Sequence, residues 1–357
     1  MSKRIESLRK KIAEAKLDRL VIGQPSSLYY LTGIWPHPME RLFVLVVSGK
    51  EAKLIVNQLI PVDPAEGIEA IFHTDWDDWV DALASHTGDS GTVGLDTGIP
   101  ADFAFNLIAR KGGVKFVNGS DPINSLRSIK EPEEIELLRT ASKLNDKVIE
   151  GMIKSISPDL TEKDLGRRRA KIAESLGVEI SYGSFGGGAY GANAADPHHP
   201  SDDSLLKPGD NIVMDIGSPY KKYHSDMTRT VFYREPSPKL RKVYDTVLKA
   251  QLAAIEAVRP GAAFRDIDAA SRRIIEAEGF GKYYIHRVGH CLGLDVHEPP
   301  YVSGNNSLPL APGMVFSIEP GIYLPGEGAV RIEDLVLVTE TGHEVLNYYP
   351  KELQVVE

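Results

Sequence analysis

The chain has 357 residues, of which 42% are hydrophobic, and it carries a formal net charge of −9 at pH 7. A chain of this length usually forms two domains, and the apolar fraction is large enough for two hydrophobic cores. The negative charge argues against nucleic acid as the main partner, because nucleic-acid-binding proteins usually carry a basic patch.

The cysteine content and the N-terminal residues indicate the compartment. Cys291 is the one cysteine in the sequence, which excludes an intrachain disulfide and fits a reducing compartment. Residues 1–18 are charged throughout and contain no apolar signal-peptide core. No stretch approaches about 18 uninterrupted apolar residues, so no membrane span is expected. We therefore predict a cytoplasmic protein with no membrane partner.

The first third of the sequence alternates helical and strand patterns. Helices are predicted at 3–16, near 75–86 and at 101–111, and strands at 19–23, 41–48, 52–57, 91–95 and 113–117. This alternation predicts an α/β domain with a mixed sheet over residues 1–121. A linker at 122–131 should end before Pro132, which suits a helix start, and the second domain should cover 132–357.

The second half of the sequence contains a weak internal duplication, in which residues 156–177 resemble residues 258–279. Matched positions are Pro158 and Pro260, Asp164 and Asp266, and Gly177 and Gly279. A long amphipathic helix is predicted before each copy, at 132–155 and 238–257. The duplication predicts two half-domains around a pseudo-twofold axis, and a chance match of a few helix positions is the alternative.

Five side chains in the second half are candidate metal ligands beside apolar strands. They are Asp215 in NIVMDIG, Asp226 in HSDMTRT, His290 in HRVGHCLG, Glu319 in FSIEPGIY and Glu333 in VRIEDLVLV. One acid at a strand end is usually a surface charge, but four near apolar cores need partners or a metal. This oxygen-rich set suits Mn²⁺, Co²⁺ or Fe²⁺, and also accommodates Zn²⁺. Two ions roughly 3.5–4 Å apart can activate water, which predicts a hydrolase.

Each pair of acids flanks a turn between two strands. SPYKKY separates Asp215 from Asp226, and LPGEGA separates Glu319 from Glu333. Side chains on one face of paired strands are neighbours, so the acids of each pair should converge. We expect the metals to lie on a sheet shared between the two half-domains.

At these motifs the chain resembles the metal-dependent proline peptidases, a family that includes Xaa-Pro dipeptidase, aminopeptidase P and, more distantly, methionine aminopeptidase. The resemblance extends to SLYYLTG at 27–33 and LRSIKEPEEIELLR at 126–139. It implies an N-terminal creatinase-like α/β domain and an α+β pita-bread catalytic domain with an internal pseudo-twofold repeat. It also implies two divalent metal ions per subunit, with Mn²⁺ favoured, and a homodimer.

The resemblance also implies roles for individual residues. Glu319 would be both a ligand and the general base, and His290 would be the imidazole ligand. His297 would line the substrate pocket. His198, in NAADPHHP, would position the substrate or stabilise the tetrahedral intermediate, and the adjacent His199 is the alternative.

His286 and Arg287 are candidate substrate-binding residues. A dipeptidase must recognise the free carboxylate of a C-terminal proline, and a guanidinium can pair with two oxygens at once. Arg287 is the candidate because residues 298–305 contain no arginine. The alternative is a structural salt bridge from Arg287 to Glu298 or Asp295.

The loop at 33–41 is dense in Trp, His and Pro. It either reaches an active site through His37, in a partner subunit of a dimer, or is a surface turn. Cys291 is expected to be a small buried hydrophobe.

These features together predict a metal-dependent hydrolase of the Xaa-Pro peptide bond in dipeptides. One alternative is an aminopeptidase P acting on longer peptides, although such enzymes usually have a larger N-terminal region. Another is an inactive peptide-binding module of the same fold, against which the intact ligand set argues.

Overall fold

The computed structural model describes residues 3–179 and 187–357. The chain divides into two compact units, Met1–Arg127 and Ser128–Glu357. Among the described residues, no helix combines the length and apolar character needed to cross a membrane.

The first unit is built on a mixed sheet, as predicted. Its described strands are β1 (Arg19–Ile22), β2 (Phe43–Ser48), β3 (Ala52–Asn57), β4 (Glu69–His73), β5 (Gly91–Leu95) and β6 (Val114–Asn118). They lie in the order β4-β3-β2-β1-β5-β6. β2 pairs antiparallel with β1 and β3, whereas the β3–β4, β1–β5 and β5–β6 pairs are parallel.

The helices of this unit include three that the sequence pattern predicts and two that it does not. They are α1 (Lys3–Glu14), α2 (Pro25–Thr32), α3 (Trp79–Thr87), α4 (Ala101–Arg110) and α5 (Ser120–Arg127). The predictions omit α2, β4 and α5. Nearly every residue of α2 is buried, so it lacks the one-sided apolar stripe on which helix prediction depends. The predicted linker begins inside α5, and the first compact unit ends at Arg127.

The second unit contains two similar helix pairs. Its described α-helices are α6 (Pro132–Lys154), α7 (Glu162–Ser175), α8 (Pro238–Glu256) and α9 (Phe264–Ala277), with α6 packed on α7 and α8 on α9. The two matched aspartates of the duplication, Asp164 and Asp266, have the same structural role at the start of a helix. Asp164 accepts a hydrogen bond from Thr161 N, and Asp266 accepts one from Ala263 N, just before α7 and α9. The repeated aspartate is therefore a helix-capping residue.

The strands of the second unit form two main sheets and two hairpins in the described residues. They are β7 (Ala189–Tyr190), β8 (Asn211–Ile216), β9 (Pro219–Tyr220), β10 (Tyr223–His224), β11 (Met227–Tyr233), β12 (Gly289–Cys291), β13 (Glu298–Val302), β14 (Val315–Ile318), β15 (Gly321–Leu324), β16 (Gly328–Arg331), β17 (Asp334–Val338), β18 (His343–Val345) and β19 (Val355–Val356). The sheets have the orders β19-β11-β8-β7 and β13-β12-β14-β17-β18, and β9–β10 and β15–β16 are the hairpins. Short 3₁₀ helices lie at Gly191–Ala195 and Gly281–Tyr283.

Each helix pair covers its own sheet through a separate hydrophobic cluster. The first cluster includes Val148, Leu165 and Met214, and the second includes Val247, Ile267 and Phe316. This arrangement confirms the predicted pita-bread fold with its internal repeat.

The strands that flank the candidate metal ligands belong to two adjoining sheets, so the expectation of one shared sheet was wrong. The sheets meet where Glu333 N–H donates to Thr228 O over 3.1 Å and Arg331 N–H donates to Thr230 Oγ1 over 3.2 Å. Hydrogen bonding between strands so far apart in the chain leaves no local pattern in the sequence, which is why the number of sheets could not be predicted.

Candidate active site

The first pair of acids lies at the turn between β8 and β11. Thr228 is the antiparallel partner of Asp215. Asp226 is two residues before Thr228, so the alternation of a strand places it on the same face as Asp215. The β9–β10 hairpin forms the connection between these strands.

The second pair repeats this arrangement in the other sheet. Ile318 of β14 is opposite Asp334 of β17, and the next step of that register places Glu319 opposite Glu333. The hydroxyl of Thr228 donates to Glu333 Oε2 over 2.7 Å, which ties the two pairs together. The predicted convergence across turns therefore has a simple basis in strand register.

The five predicted metal ligands lie together in the second unit. Asp226, His290 and Glu333 are buried, and their ligand atoms lie within 4.8 Å of one another. His290 Nε2 is 3.7 Å from Asp226 Oδ2 and 3.3 Å from Glu319 Oε1. Asp215 lines the same cavity as His290 and Glu319.

Burial and mutual repulsion strongly perturb this group. Burial raises the pKa of Asp226 well above its usual range, and the Asp215 and Glu319 carboxylates raise it further. Burial also raises the pKa of Glu333 well above its usual range and that of Glu319 to about 7. Burial lowers the pKa of the His290 imidazole to about 3. Crowded acids beside a neutral imidazole are the environment that a cation stabilises.

The donor set fits divalent metal ions. Glu333 Oε1 is buried and has no hydrogen-bond partner among the described residues. A buried carboxylate oxygen without a partner is costly, and coordination to a cation would satisfy it. Carboxylates and neutral imidazole are the ligands that such ions take.

A cavity of about 740 Å³ opens beside the candidate ligands. His198, His286, Arg287 and His297, which the sequence singled out, all line it. The rings of His297 and His290 are 4.0 Å apart between centroids. The cavity therefore brings the predicted catalytic and substrate-binding residues of the second unit to the candidate metal ligands.

The two adjacent histidines have different surroundings. His198 lines the cavity, whereas His199 Nε2 lies 2.8 Å from Glu162 Oε2. The geometry thus favours His198 as the residue that meets a substrate.

Glu162 is a residue that the sequence reading missed. Its fully buried carboxylate accepts hydrogen bonds from Tyr190 N (2.8 Å), Asn193 Nδ2 (3.1 Å) and Asp202 N (2.9 Å), besides its contact with His199. The ligand atoms of Glu162, His199 and Asp202 lie close together. Because both carboxylate oxygens accept hydrogen bonds from the surrounding backbone and side chains, Glu162 anchors the polypeptide around it.

Arg331 is another residue that the sequence analysis missed, and its hydrogen bonds order the residues that line the cavity. Its Nη2 pairs with Asp215 Oδ2 at 2.5 Å, and its Nη1 donates to the Tyr323 hydroxyl over 2.7 Å. That hydroxyl lies 2.9 Å from His286 Nε2, and His286 Nδ1 lies 2.7 Å from Arg287 O. Both nitrogens of His286 thus have protein partners. The sequence feature that could have identified Arg331 is the presence of an arginine inside the apolar run GAVRI.

The surroundings of Arg287 differ from the alternative of a salt bridge to Glu298. Glu298 pairs with Lys130 at 3.0 Å, and the Arg287 guanidinium lies over the ring of Tyr301. Tyr301 lines the cavity as well, although no sequence feature marked it.

His37 lies outside this cavity, whose described lining residues all belong to the second unit. It is exposed on the first unit, in the loop where Trp35 packs against Tyr29 with ring centroids 5.6 Å apart. Cys291 is fully buried in β12, and burial raises the pKa of its thiol to about 12, as expected of a small core residue.

Comparison with known proteins agrees with this geometry. Residues 136–340 match metallopeptidase family M24, and residues 4–129 match the creatinase/prolidase N-terminal domain. The probable dipeptidase PepE of Mycobacterium tuberculosis is 37% identical, over 96% of this chain and 93% of that protein. The Xaa-Pro dipeptidase of Pyrococcus furiosus is 33% identical, over 99% of this chain and 100% of that protein.

A solved structure shows the same fold. Recombinant prolidase from Thermococcus sibiricus superposes with a TM-score of 0.91 at 31% sequence identity and covers 100% of both chains. The chain therefore belongs to metallopeptidase family M24, with a creatinase/prolidase N-terminal domain, and is a metal-dependent peptidase.

Proposed function

We propose that this peptidase hydrolyses the Xaa-Pro bond of dipeptides that end in a free proline carboxylate. The observation that carries the proposal is a single cavity lined both by candidate metal ligands and by Arg287. A peptidase that takes dipeptides must neutralise the C-terminal carboxylate close to the scissile bond, and a guanidinium is suited to that task. The similarity to an Xaa-Pro dipeptidase and to a prolidase supports this substrate class.

Two divalent metal ions would be held by the five candidate ligands, Asp215, Asp226, His290, Glu319 and Glu333. Mn²⁺ is our proposed ion because four of the five ligands are carboxylates. When bound, such ions act as Lewis acids and lower the pKa of water.

The side chains of the protein would handle the proton and the developing charge. Glu319, whose Oε1 accepts a hydrogen bond from Ser317 Oγ over 3.1 Å, would take a proton from the attacking water. It would then pass that proton to the prolyl nitrogen. His198 or His297 would donate a hydrogen bond to the oxyanion that forms from the scissile carbonyl.

The substrate would be held at its C-terminal end. The prolyl nitrogen is a tertiary amide and has no N–H, so this part of the site requires an apolar wall and no acceptor. Arg287 would pair with the carboxylate, and His286 would support the same wall.

We also propose a cytoplasmic homodimer in which His37 of one subunit approaches the site of the other. Several large apolar side chains of the first unit are exposed, and they would provide a partner surface if the dimer brings them together. They include Met39, Leu59 and Trp76, which is 95% exposed. The proposed domain limits remain 1–121 and 132–357, joined by the 122–131 linker.

The test is hydrolysis by enzyme stripped of metal with a chelator and then reloaded with Mn²⁺, Co²⁺, Fe²⁺ or Zn²⁺. Substrates are matched Xaa-Pro, Xaa-Pro-Yaa and Xaa-Ala peptides. The proposal expects cleavage of Xaa-Pro, restored best by Mn²⁺. Efficient release of Xaa from Xaa-Pro-Yaa would establish the aminopeptidase alternative. Failure to cleave any of them, together with an absence of stoichiometric metal, would establish the inactive binding module.

A further inference from the structure

We propose that Tyr301 is a specificity-determining positioning residue, whose ring holds the Arg287 guanidinium ready for the carboxylate of the substrate. This inference rests on the proposed dipeptidase function and deepens it. In this proposal Tyr301 is neither a metal ligand nor in contact with the reacting atoms, and it acts only by positioning Arg287.

Strand register places Tyr301 at the site. In the antiparallel pair of β12 and β13, Tyr301 is the partner of His290. Directly opposed residues of such a pair project from the same face of the sheet, so the tyrosine ring shares a face with the metal-binding imidazole. Val302, the next residue, is fully buried, as the alternation of a strand requires. Tyr301 is 39% exposed and lines the cavity.

The contact between the two side chains places the guanidinium carbon over the tyrosine ring. Arg287 Cζ lies 4.0 Å from the centroid of the Tyr301 ring, well inside the range of a cation–π interaction. A guanidinium is planar, and its N–H donors point outward in that plane. We infer that the ring occupies one face of Arg287 and leaves its hydrogen-bonding edge available for a carboxylate.

Two nearby acids are engaged elsewhere. Glu298 forms its ion pair with Lys130, and Asp268 pairs with Arg272 at 3.0 Å. Among residues 3–179 and 187–357, no carboxylate forms a hydrogen bond or ion pair with the Arg287 guanidinium. Here the ring of Tyr301 supplies the orientation that an acid would otherwise provide.

The stack should matter for affinity because arginine is long and flexible. Without the ring, Arg287 would have to be ordered each time a substrate binds, and the cation–π attraction would be absent. We expect the KM for a dipeptide to rise about tenfold when the ring is removed, while kcat changes little. A substrate without a C-terminal carboxylate should not experience this loss.

The experiment compares Tyr301→Phe, Tyr301→Leu and Arg287→Ala, and the double variant Tyr301→Leu/Arg287→Ala, all in the metal-loaded full-length enzyme. Phenylalanine keeps the aromatic ring at this position. Leucine keeps a similar apolar volume but has no aromatic ring. Each variant is assayed on an Xaa-Pro dipeptide and on its Xaa-Pro-amide, and metal content and thermal unfolding are measured alongside. Tyr348→Leu, at a tyrosine that is 65% exposed and not part of the cavity lining, is the matched control.

The expected result has three parts. Tyr301→Leu raises the KM for Xaa-Pro about tenfold but changes that for the amide less than about twofold. Tyr301→Phe and Tyr348→Leu behave like the wild type. The double variant is no worse than Arg287→Ala, since the ring acts through the guanidinium.

Two results would overturn the inference in distinguishable ways. If Tyr301→Leu raises the KM of both substrates equally, or adds its full effect to Arg287→Ala, the ring acts independently of the arginine. The dipeptidase proposal survives in that case. If the wild type itself shows no preference for Xaa-Pro over its amide, recognition of the carboxylate is absent and both proposals fail.

Discussion

Replacing Glu162 with glutamine should loosen the segment that presents His198 without altering any candidate metal ligand. The carboxylate is buried, with Oε1 accepting from Tyr190 N and Oε2 accepting from Asp202 N. A glutamine can turn its oxygen toward only one of these backbone donors. Its amide nitrogen then faces the other, so one buried N–H loses its acceptor.

The magnitude follows from these contacts. An unsatisfied buried donor costs about 1–3 kcal/mol, and replacing a charged acceptor by a neutral one at the remaining bond costs about 1 kcal/mol more. Glu162→Gln should therefore lower the free energy of unfolding by about 2–4 kcal/mol. Glu174→Gln, the same change at an exposed position of α7, should stay within about 0.5 kcal/mol of the wild type.

Urea unfolding measures the stability change, and hydrogen exchange of residues 189–202 locates it. Activity gives the second measurement: kcat should fall with unchanged metal content, and Glu162→Gln should add little in a His198→Ala background. If Glu162→Gln is as stable as Glu174→Gln, the reasoning from lost hydrogen bonds is refuted. If the double variant loses kcat by the product of the two single-variant factors, Glu162 does not act through His198.

The remaining predictions concern the metal centre and the loop of the first unit. Asp226→Asn or His290→Ala should lower the bound metal and abolish activity in a folded protein; full metal content with normal turnover would contradict the site. Glu319→Gln should reduce kcat far more than it raises KM, measured with metal content, and a normal kcat would assign the base elsewhere. Trp35→Ala or His37→Ala should change selectivity among Xaa-Pro dipeptides at constant metal content; unchanged kinetics would make the loop a surface turn.

Much of the fold and the set of candidate ligands could be predicted from the sequence because their signals are local. Helix α6 runs from Pro132 to Lys154 where 132–155 was predicted, since a long amphipathic stripe and a proline at the helix start are both visible in sequence. Acids at the ends of apolar strands likewise identified the candidate metal ligands. Helices α2 and α5 escaped prediction because each has only eight residues and few turns in which a period can show.

The tertiary structure alone decided which other side chains meet at the site. Tyr301 reaches it because β13 pairs with β12 in one particular register. Arg331 of the β15–β16 hairpin pairs with Asp215 of β8, and Glu162 contacts His199. The physical reason is the same in each case. A local pattern reports which face of a strand or helix is buried, whereas contacts between distant segments depend on strand register and packing, to which many residues contribute at once.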